Sequence, residues 1–288
     1  MAQARTVETP STDAAMLLEA IADPRREAIA ASDVAVVVAH PDDETIGCGV
    51  QLARLHGRIL VLVTDGAPRN LTDARQSGFA SAQAYADARR GELLHAIAIA
   101  GMPAHALRAL GVPDQEAALH LVDLARRLAQ CFVQCRIRVV VTHSYEGGHP
   151  DHDATAFAVH AAAALVARNE GGISVIEMPL YRMGPEGILV QSFVPHPGGD
   201  EIVVALGEEW RDLKQRMLAA HSTQQNVLRT FSLDVERFRA APAHDFTELP
   251  NGGRLFYETM PWGMTGEHWR ELAAVGLREL GIESGRWP

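Results

Sequence analysis

Apolar positions along the chain alternate between short β-branched runs and longer stretches with helical spacing. Val34-Ala35-Val36-Val37-Val38 is continuously apolar, as a strand covered on both faces of a parallel sheet should be. Thr45 to Leu55 follows, carrying Ile46, Val50, Leu52 and Leu55, and reads as a helix closed by His56-Gly57. The next apolar run, Arg58 to Thr64, predicts a strand parallel to the first, so the three segments make one βαβ unit. Asp65 to Phe79 is a long polar loop, either a lid or disordered. Helices are expected over 81–100, 115–134, 153–168 and 208–220. Strands are expected near 106–110, 138–142, 173–177, 187–194 and 202–205. Beyond Phe231 the pattern loosens, with a last helix after Trp262-Gly263-Met264.

The first 12 residues read as disordered, and 12–32 as a helical prelude that Pro24 interrupts. The organisation expected is a helical segment over 1–32, an α/β domain over 33–225, and a C-terminal extension over 226–288 belonging to that domain. With 288 residues, 47% hydrophobic and 22% charged, the chain has the composition of an ordinary soluble protein. Its formal net charge of −10 argues against a nucleic-acid partner, because no basic stripe offsets it. Arg25-Arg26, Arg89-Arg90 and Arg126-Arg127 each have nearby acids and read as solvated helix faces. Three cysteines are too few for a disulfide framework. Acids interrupt the N-terminal stretch where a signal peptide would be apolar, and no run reaches membrane-spanning length, so a cytoplasmic protein is expected.

Candidate chemistry lies where two of the strands end. Ala39-His40-Pro41-Asp42-Asp43-Glu44 follows the first strand, and His149-Pro150-Asp151-His152 follows the strand at 138–142. Carboxyl ends of strands are where open α/β sheets bind ligands. Helix capping accounts for two of the acids but not for the His-Pro before them. Adjacent acids repel one another, and a divalent metal would stabilise them. Two imidazoles and one Asp supply three protein ligands with a position left open, and the other Asp is then free to act as a base.

These motifs resemble the LmbE/PIG-L family of zinc-dependent sugar N-deacetylases and amidases. The resemblance extends to Thr64-Asp65-Gly66, Arg89-Arg90-Gly91-Glu92, Leu110-Gly111-Val112-Pro113-Asp114 and His221-Ser222-Thr223-Gln224, covering roughly 33–225. It implies a Rossmann-like, mostly parallel sheet with helices on both faces. It implies His40, Asp43 and His152 as ligands of Zn2+, and Asp42 as general base towards a metal-activated water. His149 is implied as the donor to the oxyanion, held protonated by a neighbouring carboxylate such as Asp151. The activity implied is removal of an acetyl group from an N-acetylated amino sugar or sugar conjugate. Asp114 and Arg69 are substrate-binding candidates, for sugar hydroxyls and for an anionic group; Asp114 reads equally as an N-cap.

Two features depart from the family pattern. Some members carry a tyrosine two residues before the first His of the second motif, where this chain has Gly147; Tyr145 either substitutes for it or no tyrosine takes part. The loop after Gly66 lacks the acidic pair common there. Two His and one carboxylate also suit Fe2+. An amidase acting on a non-sugar or thiol-conjugate amide would use the same site, and a non-catalytic sugar-binding module is the alternative from another class. Gly47-Cys48-Gly49 fails as a dinucleotide fingerprint because Leu52 stands at its third glycine position. The partner expected is a small molecule, and the reading leaves room for a homo-oligomer.

Overall fold

Seven strands pair into one sheet in the computed structural model, which describes residues 12–168, 171–196 and 200–283. In chain order they are β1 (Val34–Val38), β2 (Ile59–Thr64), β3 (Leu107–Val112), β4 (Val139–His143), β5 (Ser174–Met178), β6 (Ile202–Ala205) and β7 (Val235–Ala240). Their order across the sheet is β6-β7-β5-β4-β1-β2-β3. The first five pair in parallel, and β7 runs antiparallel to both β5 and β6. Val36 of β1 sits between Leu60 of β2 and Val141 of β4. The chain winds outward from β1 through β2 to β3, then returns to the other side of β1 with β4. The carboxyl ends of β1 and β4 are therefore neighbours at the switch point, where such sheets form a crevice. The expected α/β class, mostly parallel with helices on both faces, is what the chain forms.

Alternation along each strand sends side chains to two cores. Val34, Val36, Val38, Leu60 and Leu62 face α1 (Thr12–Ala22), α2 (Asp43–Arg54), α3 (Ala82–Ile99) and α6 (Glu208–Ala220). Ala35, Val37, Val61 and Val63 face α4 (Leu121–Cys135), α5 (Pro150–Ala167) and α7 (Gly266–Leu280). The small side chains of α5 let it lie close against the sheet, with Ala154, Ala158, Ala161 and Ala162 fully buried.

Several elements differ from the sequence expectations. The helix after the second motif begins at Pro150, a good first helical residue, rather than at 153, so His152 lies in its first turn. The loop after β2 contains a short helix, Thr72–Gln76, and Ala67 and Ala74 pack against Tyr85 and Ala86. The strand expected over 187–194 is only Ile188–Val190, paired with Tyr181–Met183. The loosened region beyond Phe231 supplies β7, inside the main sheet. The disorder expected at the N-terminus lies, up to residue 11, outside the described residues. Among the described residues, no helix is long and apolar enough to cross a membrane.

The helix behind the first motif is bent. Cys48 has φ −148° and ψ 31°, outside helical values. Ile46 and Val50, which a straight helix would pair, each take a side-chain partner. Lys214 of α6 donates to the Ile46 carbonyl at 2.8 Å, and Glu236 of β7 accepts from the Val50 N–H at 2.9 Å. Lys214 and Glu236 pair with each other at 3.1 Å, both fully buried. Gly47 allows the bend to sit on β5, because a Cβ there would lie 2.4 Å from the Met178 sulfur.

Candidate active site

The three acids of the first motif face different ways. The Asp42 side chain makes no capping bond, while Asp43 and Glu44 stand in the first turn of α2 as acids at a helix start should. Its backbone has φ 129°, a conformation rare outside glycine, and its carbonyl accepts from the Thr45 and Ile46 N–H groups to start α2. Glu44 turns away: it accepts from the Asp42 N–H at 3.0 Å and from Thr45 Oγ1, and its Oε1 lies 3.2 Å from His221 Nε2. Glu44 thus braces the turn with His221, leaving Asp42 and Asp43 for the crevice.

Donor atoms of His40, Asp43 and His152 converge. His40 Nδ1 and His152 Nε2 are 3.2 Å apart, and the Asp43 oxygens lie 3.3 Å from the first and 3.4 Å from the second. Ligands bound tetrahedrally at about 2.1 Å are separated by about 3.4 Å, so each of these spacings suits a zinc-sized cation, with Asp43 Oδ2 facing His40 and Oδ1 facing His152. Burial disfavours the Asp43 carboxylate, but His152, His143 and His40 outweigh it and hold its pKa well below the usual range. His143 stacks on His152 at 4.2 Å, and its Nε2 accepts from the Ala39 N–H at 2.9 Å. It therefore orients the set from below.

Asp151, expected from the resemblance to hold His149 protonated, stands 3.9 Å from His149 Nδ1, beyond hydrogen-bond reach. Its Oδ2 lies 3.1 Å from His40 Nε2 and accepts from the Gln115 N–H, while Oδ1 accepts from the Ala117 N–H. Asp151 orients His40 instead. His149 Nδ1 caps α5 by accepting from the Asp151 N–H at 3.1 Å. Burial, reinforced by the His40 and His152 imidazoles, pushes His149 well below its ordinary pKa. With Nδ1 accepting, the neutral ring carries its proton on Nε2.

Asp114 caps nothing; the following 3-10 turn is preceded by Glu116. Asp114 approaches His40 Nε2 at 3.3 Å and Arg89 Nη1 at 3.6 Å. Arg89, expected on a solvated face beside Glu92, is buried here. It donates to the Gly66 and Pro41 carbonyls and, at 3.2 Å, to Asp42 Oδ2. Gly66 has φ 68°, and a Cβ there would meet Pro41 and Arg89 within 2.8 Å, so glycine is required beside the guanidinium. Glu92 instead binds Ser222 and Thr223. Burial raises Asp42 to about 7 against the pull of Arg89.

Two substrate candidates are turned away from the crevice. Tyr145 packs in the core, its hydroxyl donating to the Glu248 carbonyl at 2.9 Å and accepting from Trp269 Nε1 at 2.7 Å. Arg69 folds back on its own loop, pairing with Asp65 at 2.5 Å and the Ala67 carbonyl at 2.7 Å. Residues from late in the chain line the site in their place. Tyr181, half-buried, packs edge-on to His152 at 5.3 Å, and Trp262 lies 4.3 Å from the His149 ring. The sequence offers Trp262 and Trp269 as sugar-stacking faces, with core packing expected for one of them; Trp269 is the buried one, and Tyr181 carried no sequence signal.

Fold and site together define an α/β protein with a metal-type imidazole–carboxylate centre at the sheet's switch point. Residues 35–163, a little under half of the chain, match the family model described as PIG-L: GlcNAc-PI de-N-acetylase. A curated relative, the 1D-myo-inositol 2-acetamido-2-deoxy-α-D-glucopyranoside deacetylase of Kineococcus radiotolerans, is 30% identical over 54% of this chain and 50% of its own. The chain thus spans about half the length of the curated relative it matches. Among solved structures, the A40926 pseudoaglycone deacetylase superposes with TM-score 0.56 at 19% identity, covering 73% of this chain and 96% of its own. The N,N'-diacetylchitobiose deacetylase of Pyrococcus horikoshii gives TM-score 0.51 at 18% identity, covering 99% and 93%. At these identities the structures establish the shared fold.

Proposed function

We propose that this protein is a metal-dependent hydrolase that removes the acetyl group from an N-acetylated amino sugar or sugar conjugate. The observation carrying the proposal is the convergence of His40, Asp43 and His152 with Asp42 and His149 beside them. In this reading those three residues hold zinc, which when bound polarises an amide carbonyl and lowers the pKa of water. Asp42 is the general base: a buried carboxylate raised to about 7 can take a proton near neutrality and return it to the leaving nitrogen. Arg89 keeps that carboxylate aimed into the crevice. His149 donates from Nε2 to the developing oxyanion as a neutral imidazole. Asp151 and His143 position the ligands, and Asp114 offers a carboxylate for sugar hydroxyls. Trp262 and Tyr181 offer ring faces for the sugar. His40, Asp42 and Asp43 are only 7%, 6% and 3% exposed, so a narrow substituent such as an acetamido group suits the entrance. The names of the relatives, N-acetyl sugar deacetylases among them, support the substrate class.

Acetate release from a panel of N-acetylated sugars and conjugates tests the proposal, using metal-stripped protein with Zn2+ or Fe2+ restored. Metal-dependent release that Asp42→Asn abolishes is the expected result. Metal bound near one per chain at the motif residues with no release from sugars, but release from a thiol-conjugate or other amide, would move the substrate class. No metal binding to the motif residues would overturn the reading.

A further inference from the structure

A second imidazole–carboxylate cluster lies apart from the active-site set, behind β4. His160 of α5, Glu177 of β5 and His244 after β7 each present a donor atom, all within 4.8 Å of one another. His160 is 2% exposed, and neither of its ring nitrogens has a hydrogen-bond partner. An imidazole stripped of water on both nitrogens is costly unless something binds there. Its neighbours are His244, 5.3 Å away edge-on, and Phe246, 5.5 Å away. The carboxylate is already oriented. Arg239, its register partner across the sheet, donates to Glu177 Oε2 from Nε at 2.9 Å, and Ser144 Oγ donates to the same oxygen at 3.3 Å. Oε1 is left to His244, whose Nε2 contacts it. Thus Oε2 belongs to the supporting groups and Oε1 faces the two imidazoles.

We propose that His160, Glu177 and His244 form a second divalent-cation site, distinct from the one in the crevice, that takes zinc. Two imidazoles and one carboxylate are a zinc donor set, and the ion would give His160 the partner it lacks. Arg239 and Ser144 supply the outer hydrogen bonds that hold a ligating carboxylate in place. The ion would join α5, β5 and the segment after β7, three elements far apart in sequence. That segment also carries Glu248, which accepts from Tyr145, so the clamp would fasten the C-terminal part of the chain beside the active site. The role is structural, and no reacting group is required.

Zinc content per chain decides this, measured on the full chain after zinc loading and dialysis against zinc-free buffer. Two equivalents are expected in the wild type and one in each of His160→Gln, His244→Gln and His152→Ala. Zinc should still raise the melting temperature of His152→Ala, and this increment should vanish when His160→Phe, an apolar filler that suits neighbouring Phe246, is added. An equivalent that survives His152→Ala but disappears with His160→Gln supports the second site even if the crevice binds none. One equivalent in the wild type, lost in His152→Ala and unchanged in both His160→Gln and His244→Gln, would overturn the proposal and leave the active-site reading intact.

Discussion

The bent helix behind the first motif rests on one buried ion pair, and Lys214→Met tests how much. Lys214 and Glu236 are 3.1 Å apart with both side chains fully buried, which at an effective dielectric of about 20 corresponds to about 5 kcal/mol of attraction. Much of that offsets desolvation, so the pair's net contribution is smaller than its attraction. Removing one partner is a different matter. Methionine keeps the stem but strands the Glu236 carboxylate and the Ile46 carbonyl, and breaking a buried pair this way costs about 3–5 kcal/mol. Glu236 would retain the Val50 N–H and Gln51 Nε2, which favours the lower half of that range. At about 2–4 °C per kcal/mol, the melting temperature should fall by about 6–16 °C.

Urea unfolding of zinc-loaded protein at fixed metal concentration measures the effect, with the slope monitored to exclude a change in cooperativity. Glu236→Gln completes the cycle, since the amide oxygen can still accept from Val50 without leaving a bare charge. The double variant Lys214→Met/Glu236→Gln should be more stable than Lys214→Met alone, with a coupling of about 2–3 kcal/mol. A Lys214→Met loss under about 1 kcal/mol, or strictly additive single effects, would refute the argument that the pair completes the broken helix.

Substitutions at Asp42, Tyr145 and Gly47 separate the roles assigned above. Asp42→Asn should lower turnover by about 10²–10⁴-fold while zinc content stays unchanged, and Asp42→Gly should raise stability by about 1 kcal/mol by relieving the positive φ; chemical denaturation and acetate assays read both. Tyr145→Phe should leave kcat within about twofold while costing about 1–3 kcal/mol, because Trp269 Nε1 and the Glu248 carbonyl lose their partner. A kcat collapse at full stability would return Tyr145 to the reaction. Gly47→Ala should cost about 1–3 kcal/mol by driving a methyl into Met178, and Met178→Ala in the same chain should recover part of it.

The parts legible in the sequence are those whose meaning is local. An apolar run followed by His-Pro-Asp-Asp-Glu states both a buried strand and the chemistry at its end, and β1, β2 and β4 fall within a residue or so of where the pattern puts them. β7 was illegible because Val235-Glu236-Arg237-Phe238-Arg239 sets three charges among two apolar residues and shows no apolar face at period two. Yet Glu236 and Arg239 are buried, each neutralised by a residue from another element, Lys214 and Glu177. Arg54 repeats the pattern at the end of α2, donating to the Ile21, Ala20 and Asp23 carbonyls near the end of α1.

The same physics explains the errors at the site. Reading a charge as solvated assumes that no opposite charge waits across the fold, and helical spacing offers only Glu92 to Arg89. Tertiary structure instead gives Arg89 two carbonyls and Asp42, and gives Glu92 the hydroxyls of Ser222 and Thr223. The His221-Ser222-Thr223-Gln224 stretch, a motif without an evident role in the sequence, thereby acquires one: His221 braces Glu44, Thr223 holds Glu92, and Gln224 reaches the Tyr85 hydroxyl. Its contacts reach α2 with one residue and α3 with the others, the two helices that carry Asp43 and Arg89. A segment that touches no ligand thus sets the spacing between the proposed base and its guanidinium, and only the fold could disclose that.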